Sequence, residues 1–198
     1  MKPINFLLAG VGGQGVLMAS NILASVGMLA GYDVKKSEIH GMSQRGGNVS
    51  SHVRWGEIVH SPIIPDASAD FLLAFEAMEA LRYLPMLHSG SVVLMDRHQI
   101  VPVTVTGGDA TYPEYDEIET TVRQVSPNVH WIDGVEMAEE MGNARVANII
   151  TLGFLSTYMD VPATVWKQAI ARRVPQRFVE LNHRAWEAGR KLKEAIHA

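Results

Sequence analysis

The chain has 198 residues, of which 47% are hydrophobic and 19% charged, with a net charge of −4 and no cysteine. That balance is ordinary for a globular fold with a sizeable core and gives no electrostatic case for nucleic acid or an anionic membrane surface. Without cysteine there is no disulfide, no thiol nucleophile and no thiolate ligand for a metal or iron–sulfur cluster.

Met1 leads almost directly into Ile4 to Ala9, an apolar run that reads as a strand covered on both faces, so no leader is expected. Gly10, Gly12, Gly13 and Gly15 follow, in a G-x-G-x-x-G spacing that opens a helix over Gln14 to Ala30. Such a turn lets backbone come close to a ligand and leaves free N–H groups at a positive helix end. The same geometry also serves as a plain strand-to-helix turn. Gly31 is placed to stop the helix, and Tyr32 to Val34 reads as the second strand of a parallel βαβ unit.

A dinucleotide site would want an acidic residue about 20 positions past the glycines. Glu38 is the only nearby candidate, and the segment after it is a polar glycine-rich loop, His40 to Asn48, instead of a helix. Within that loop Arg45 is flanked by Gly41, Gly46 and Gly47 and can anchor an anion or brace an interface. Asn48 to Trp55 alternates with period two, and Trp55-Gly56-Glu57 reads as a turn into a short strand at Ile58 to His60. A hairpin inside a parallel sheet implies a mixed sheet.

Pro62 and Pro65 mark a connection. Asp70 to Phe75 reads as a strand, Glu76 to His88 as a helix stopped by Gly90, and Ser91 to Met95 as a strand ending at Asp96. Residues 97–114 carry little pattern and read as a strand plus a long loop around Gly107-Gly108. Tyr115 to Val125 and Gly134 to Met141 read as short helices on either side of a strand at Val129 to Ile132. Ala144 to Tyr158 is apolar nearly all round, which predicts a buried or interfacial helix. Pro162 opens another helix, and Pro175 opens the last, with Glu180–Arg184 and Glu187–Lys191 pairs on its wet face. The sum is an α/β fold: three layers, α/β/α, around a mixed, mostly parallel sheet with a Rossmann-like start and a helical C-terminal third. A single domain over residues 1–198 is expected, with 162–198 as a helical appendage.

Other chemistries score poorly. Glu180-x-x-His183 lacks the second motif that a di-iron site needs. Ser43 and His40 have no orienting acid in view, and no G-x-S-x-G elbow is present. Trp55, Trp131, Trp166 and Trp186 read as core or interface residues, not a base-stacking platform.

Four blocks together carry a family resemblance: Gly10-Val-Gly-Gly-Gln-Gly-Val16, Glu38-Ile-His-Gly-Met-Ser-Gln-Arg-Gly-Gly47, Val53-Arg54, and Gly142-Asn-Ala-Arg-Val-Ala-Asn148 with Leu152-Gly153. They resemble the gamma-type domain of 2-oxoacid:ferredoxin oxidoreductases, with wording nearest the members that act on indolepyruvate. The resemblance implies oxidative decarboxylation of a 2-oxoacid, aromatic ones favoured, to an acyl-CoA with reduction of ferredoxin. It implies a larger alpha subunit that bears thiamine diphosphate and the iron–sulfur clusters and meets ferredoxin. This chain would then hold no cofactor alone, supply no catalytic residue and bind no metal. Coenzyme A would sit at a shared site touching Gly10, Gly12, Gly13, Gln14, Gly15, Ser43, Arg45, Gly46 and Gly47. A cytoplasmic complex with no membrane or nucleic-acid contact is expected, along with self-association of the isolated chain. A stand-alone NAD(P)- or flavin-binding oxidoreductase and a purely structural subunit are the competing readings.

Overall fold

A computed structural model describes residues 3–40, 47–101, 103–107 and 111–196. Six strands form one sheet: β1 (Ile4–Val11), β2 (Asp33–His40), β3 (Asn48–Gly56), β4 (Ala69–Ala74), β5 (Leu87–Asp96) and β6 (Asn128–Ile132), in the order β2-β3-β1-β4-β5-β6. β1, β4, β5 and β6 run parallel, and β3 runs antiparallel to both of its neighbours. The sheet is therefore mixed and mostly parallel, as expected. The inserted strand is β3: β2 keeps the direction of β1 but stands one strand away from it.

The helices are α1 (Val16–Leu29), α2 (Glu79–Arg82), α3 (Val103–Thr106), α4 (Tyr115–Arg123), α5 (Gly134–Glu140), α6 (Ala147–Ser156), α7 (Ala163–Ala171) and α8 (Val179–Ile196). Strand alternation splits the core between the two faces. Phe6 and Leu8 of β1, with Trp55, Phe71 and Leu73, face the layer of α1, α6, α7 and α8. Leu7 and Ala9, with Leu72, Val93 and Met95, face the thinner layer of α2 and α4. The C-terminal helices share the first core through Trp166 and Trp186, whose rings stack 6.3 Å apart. α6 is buried throughout, which accounts for its lack of a polar face. Among the described residues no helix is long and apolar enough to cross a membrane.

Several expectations change. The second strand extends through His40, because an edge strand with one wet face tolerates Lys35, Lys36 and Glu38. No strand forms at Ile58 to His60; Asp33 Oδ accepts from Val59 N at 2.8 Å and Arg54 donates to the carbonyls of Ser61 and Ile63, which holds the segment as a loop. The hairpin partner of β3 is β2 instead. The helix expected over Glu76 to His88 shrinks to α2 and a 3₁₀ turn at Leu84–Met86, since Pro85 removes a donor and blocks a longer helix. β5 begins at Leu87, so Gly90 lies inside a strand and stops no helix. Between residues 97 and 114 the described elements include α3 and no strand.

Candidate functional site

The carboxyl ends of β1, β4 and β5 open into a cavity of about 480 Å³. In α/β sheets this is where ligands are bound, because loops and helix N-termini converge there. One wall is the glycine turn, with Gly12, Gly13, Gln14 and Gly15, leading into α1. Against it stand the 3₁₀ turn at Ala144–Val146 and the start of α6, which contribute Ala144, Arg145, Ala147 and Asn148 to the lining. Asp96, at the end of β5, closes the floor, and His98, Ile100 and Glu139 fill the side.

The turn is held rigidly. Gln14 folds back so that its Oε1 accepts from Val11 N at 2.8 Å and its Nε2 donates to Phe75 O at 2.6 Å, tying β1 to the end of β4. Gly12 N donates to Gly47 O at 3.0 Å, which brings the end of the second glycine loop against the first. Gly15 caps α1 with φ of 80°, in the left-handed region. Its carbonyl accepts from Asn148 Nδ2 at 3.0 Å, so α6 is latched to the N-terminus of α1. The first-turn N–H groups of α1 have no acceptor within the helix and give this wall a positive end.

The charges are uneven. Arg145 is exposed at the rim and makes no ion pair among the described residues. Asp96 is only 3% exposed, and its carboxyl is pushed up to about 7. Burial is the main cause; the N–H groups of His98, Gly134 and Val135 pull it back, and the charge of Asp133 pushes it further up. Beside it Arg97 pairs with Asp133 at 3.1 Å and stacks over Trp131 and Tyr115. Behind the cavity Glu76 is buried and accepts from Tyr112 OH, Ile100 N and Glu79 N, which fixes the wall at Ile100. Burial first, and then the Glu76 contact, raise the Tyr112 phenol above its ordinary value. A polar turn, a positive helix end and the Arg145 cation around one cavity suit a ligand with an anionic group.

Of the residues expected at a site, Gly12, Gly13, Gln14 and Gly15 line the cavity and Gly47 abuts it through Gly12. Gly10 does not line it: a side chain there would meet Gln14 Oε1 at 2.8 Å and Val16 Cγ2 at 3.0 Å, so its smallness serves packing. Ser43, Arg45 and Gly46 lie outside the described residues. Glu38 sits on β2 and pairs with Lys36, two strands from the glycine turn. Arg145, Asn148 and Asp96 were not expected. The first two stand in the Gly142 to Asn148 block, whose polar residues interrupt an otherwise apolar helix start. Asp96 carried only the signal of an acid at a strand end.

A family model described as pyruvate ferredoxin/flavodoxin oxidoreductase matches residues 5–192. The chain belongs to that family. Within the pyruvate ferredoxin/flavodoxin oxidoreductase family it is similar to the indolepyruvate oxidoreductase subunit IorB of Archaeoglobus fulgidus, 40% identical over 94% of this chain and 93% of that one. It is equally similar to the IorB subunit of Thermococcus kodakarensis, 40% identical over 99% of this chain and 98% of that one. Among solved structures, the gamma subunit of a keto/oxoacid ferredoxin oxidoreductase from Geobacter sulfurreducens superposes with a TM-score of 0.70 at 25% identity, over 98% of this chain and 99% of that one. A 2-oxoglutarate:ferredoxin oxidoreductase from Magnetococcus marinus, solved with 2-oxoglutarate, coenzyme A and succinyl-CoA bound, shares the fold with a TM-score of 0.74 at 19% identity. That match covers 98% of this chain and 32% of that one. The three-layer fold of this family member is thus a gamma-subunit fold.

Proposed function

We propose that this chain is the small subunit of a 2-oxoacid:ferredoxin oxidoreductase that converts indolepyruvate or related aryl 2-oxoacids to acyl-CoA, carbon dioxide and reduced ferredoxin. The observation that carries the reading is the cavity in which the Gly12–Gly15 turn, the N-terminus of α1 and Arg145, without an ion pair among the described residues, converge, in a chain of this family. The aryl preference rests on similarity to the IorB subunits. The complex would work in the cytoplasm. Thiamine diphosphate and the iron–sulfur clusters belong to a larger partner subunit, which also meets ferredoxin; a sequence without cysteine supplies no thiolate to hold a cluster.

In this reading the cavity is one wall of a shared site, and coenzyme A is the ligand that crosses it. Gly12 and Gly13 let a phosphate or amide approach backbone, Gly15 gives the turn its left-handed φ, and the α1 N-terminus and Arg145 favour the ligand's negative charge. We assign the same ligand to Arg45 and its sequence neighbours Ser43, Gly46 and Gly47 as well, with Arg45 as a second cation. A stand-alone dinucleotide enzyme is disfavoured because β3 separates β2 from the glycine turn and Glu38 is already paired.

The test is steady-state kinetics of the complex reconstituted with its larger subunit. Arg145→Ala should raise the KM for coenzyme A about tenfold or more, as expected for loss of a charged contact, and leave the KM for the oxoacid unchanged. Normal assembly with an unaltered coenzyme A KM in both Arg145→Ala and Arg45→Ala would overturn the shared-site role. Normal kinetics with weakened assembly in Arg45→Ala would make that residue an interface brace.

A further inference from the structure

The two ends of α6 open on two different cavities. Asn148 lines the first; Ser156, roughly 12 Å further along the helix axis, lines a second of about 630 Å³. Its walls are the connection from α6 to α7 and the face of α8 that carries Arg190 and Lys193.

Both cations are held in place by rings. Arg190 lies over Trp186 at 5.0 Å and donates to Ser156 Oγ at 3.2 Å. Lys193 Nζ stands 3.2 Å from the centre of the Tyr158 ring. Ring faces restrain long side chains that otherwise lose much rotamer freedom when a ligand orders them. Neither cation makes an ion pair among the described residues. Asp160 also lines the cavity, but it is exposed and beyond ion-pair distance of both. Two like charges three residues apart on one helix face repel each other. Partial burial also pushes the Lys193 ammonium below the ordinary lysine value. An anion between them would relieve both costs.

We propose that this second cavity is a binding site for a compact anion of the phosphate class, clamped by the Arg190 guanidinium and the Lys193 ammonium. The guanidinium offers a planar fork and the ammonium a point charge, a pairing that suits a tetrahedral oxyanion better than a single carboxylate. The site is distinct from the coenzyme A wall and does not depend on it.

Calorimetric titration of the full chain with inorganic phosphate, at ionic strength fixed with chloride, tests the assignment. An Arg45→Ala, Arg145→Ala background removes both cations assigned to the coenzyme A site. That chain should still bind phosphate saturably. Adding Lys193→Gln should weaken binding tenfold or more, and Lys193→Arg in its place should retain it. A phosphate monoester such as glycerol phosphate should bind in the same pattern if the natural ligand is a phosphate ester; its failure beside success with inorganic phosphate would assign the site to the free ion. Absence of saturable phosphate binding in that double background, or equal binding after Lys193→Gln is added, would overturn the proposal.

Discussion

Two sets of glycines do opposite work in this molecule. Gly153 of α6 and Gly189 of α8 meet where those helices cross. A methyl group on Gly153 would lie 2.1 Å from the Trp186 carbonyl oxygen, and one on Gly189 would lie 1.9 Å from that of Ile150. At the turn before α1, by contrast, a methyl on Gly13 would meet nothing within 4 Å. The first pair is glycine because the space is already filled by backbone. The second is glycine because of its conformation and the open space above it. A glycine-rich motif therefore says little until each missing Cβ is placed.

The crossing should be the more fragile. Gly189→Ala or Gly153→Ala improves helix propensity by about 1 kcal/mol, yet it drives a methyl into backbone that no rotamer change can move. We expect a net loss of about 3 kcal/mol or more, at the severe end of overpacking. Urea denaturation of each variant measures it. A change below about 0.5 kcal/mol, the usual range for neutral surface changes, would mean that the helices slide apart freely and that the close crossing is unimportant.

Gly15 stands between the two cases. Its φ of 80° strains any other residue, and its missing Cβ would lie 2.2 Å from Asn148 Nδ2. Gly15→Ala should cost about 2–3 kcal/mol, from left-handed strain of about 1–2 kcal/mol and a lost hydrogen bond of about 1 kcal/mol. Asn148→Ala removes the same bond and the clash, so the double variant should be less destabilised than the sum of the singles. Strict additivity would break the latch between α6 and α1. Gly13→Ala has the strain alone, with φ of 106° and open space around it. It should cost about 1–2 kcal/mol and, in the assembled complex, weaken coenzyme A more than it weakens the fold.

Much of this was legible in order but not in depth. The strand–turn–helix start announced itself because glycine spacing and apolar periodicity are local signals. Gly10 shows the limit: it belongs to the motif, but its neighbours come from Gln14 and Phe75, and only the fold reveals that it packs instead of binding. The α6 segment read as buried because it lacks a polar face, while its partner glycine on α8, Gly189, sits in a stretch rich in charged residues and gave no hint of a crossing. Arg145 and Asp96 reach the cavity from positions about 50 residues apart, at the end of β5 and the start of α6, and no spacing rule links them. The helix expected over Glu76 to His88 failed for two reasons, of which Pro85 near its end is local and visible in the sequence. Buried Glu76 is held by Tyr112 and Ile100, far along the chain, and that tertiary tie outweighs local propensity.

The cavity and the crossing also differ in charge, which yields the smallest effect. Asp96 titrates near 3.8 when unfolded and at about 7 in the fold, so the folded chain holds its proton longer. Its contribution favours folding fully below about pH 4 and is lost as the pH rises toward 7. From pH 6 to pH 7 the loss should be about 1 kcal/mol. In Asp96→Asn that contribution should disappear from the pH profile, whatever the variant's absolute stability. Gly189→Ala replaces no titrating group, so it should shift the whole stability curve down and leave its slope with pH unchanged. A pH 6 to pH 7 slope in Asp96→Asn equal to that of the unaltered chain would move the titration to another group and leave the cavity floor a plain carboxylate held by the N–H groups of α5.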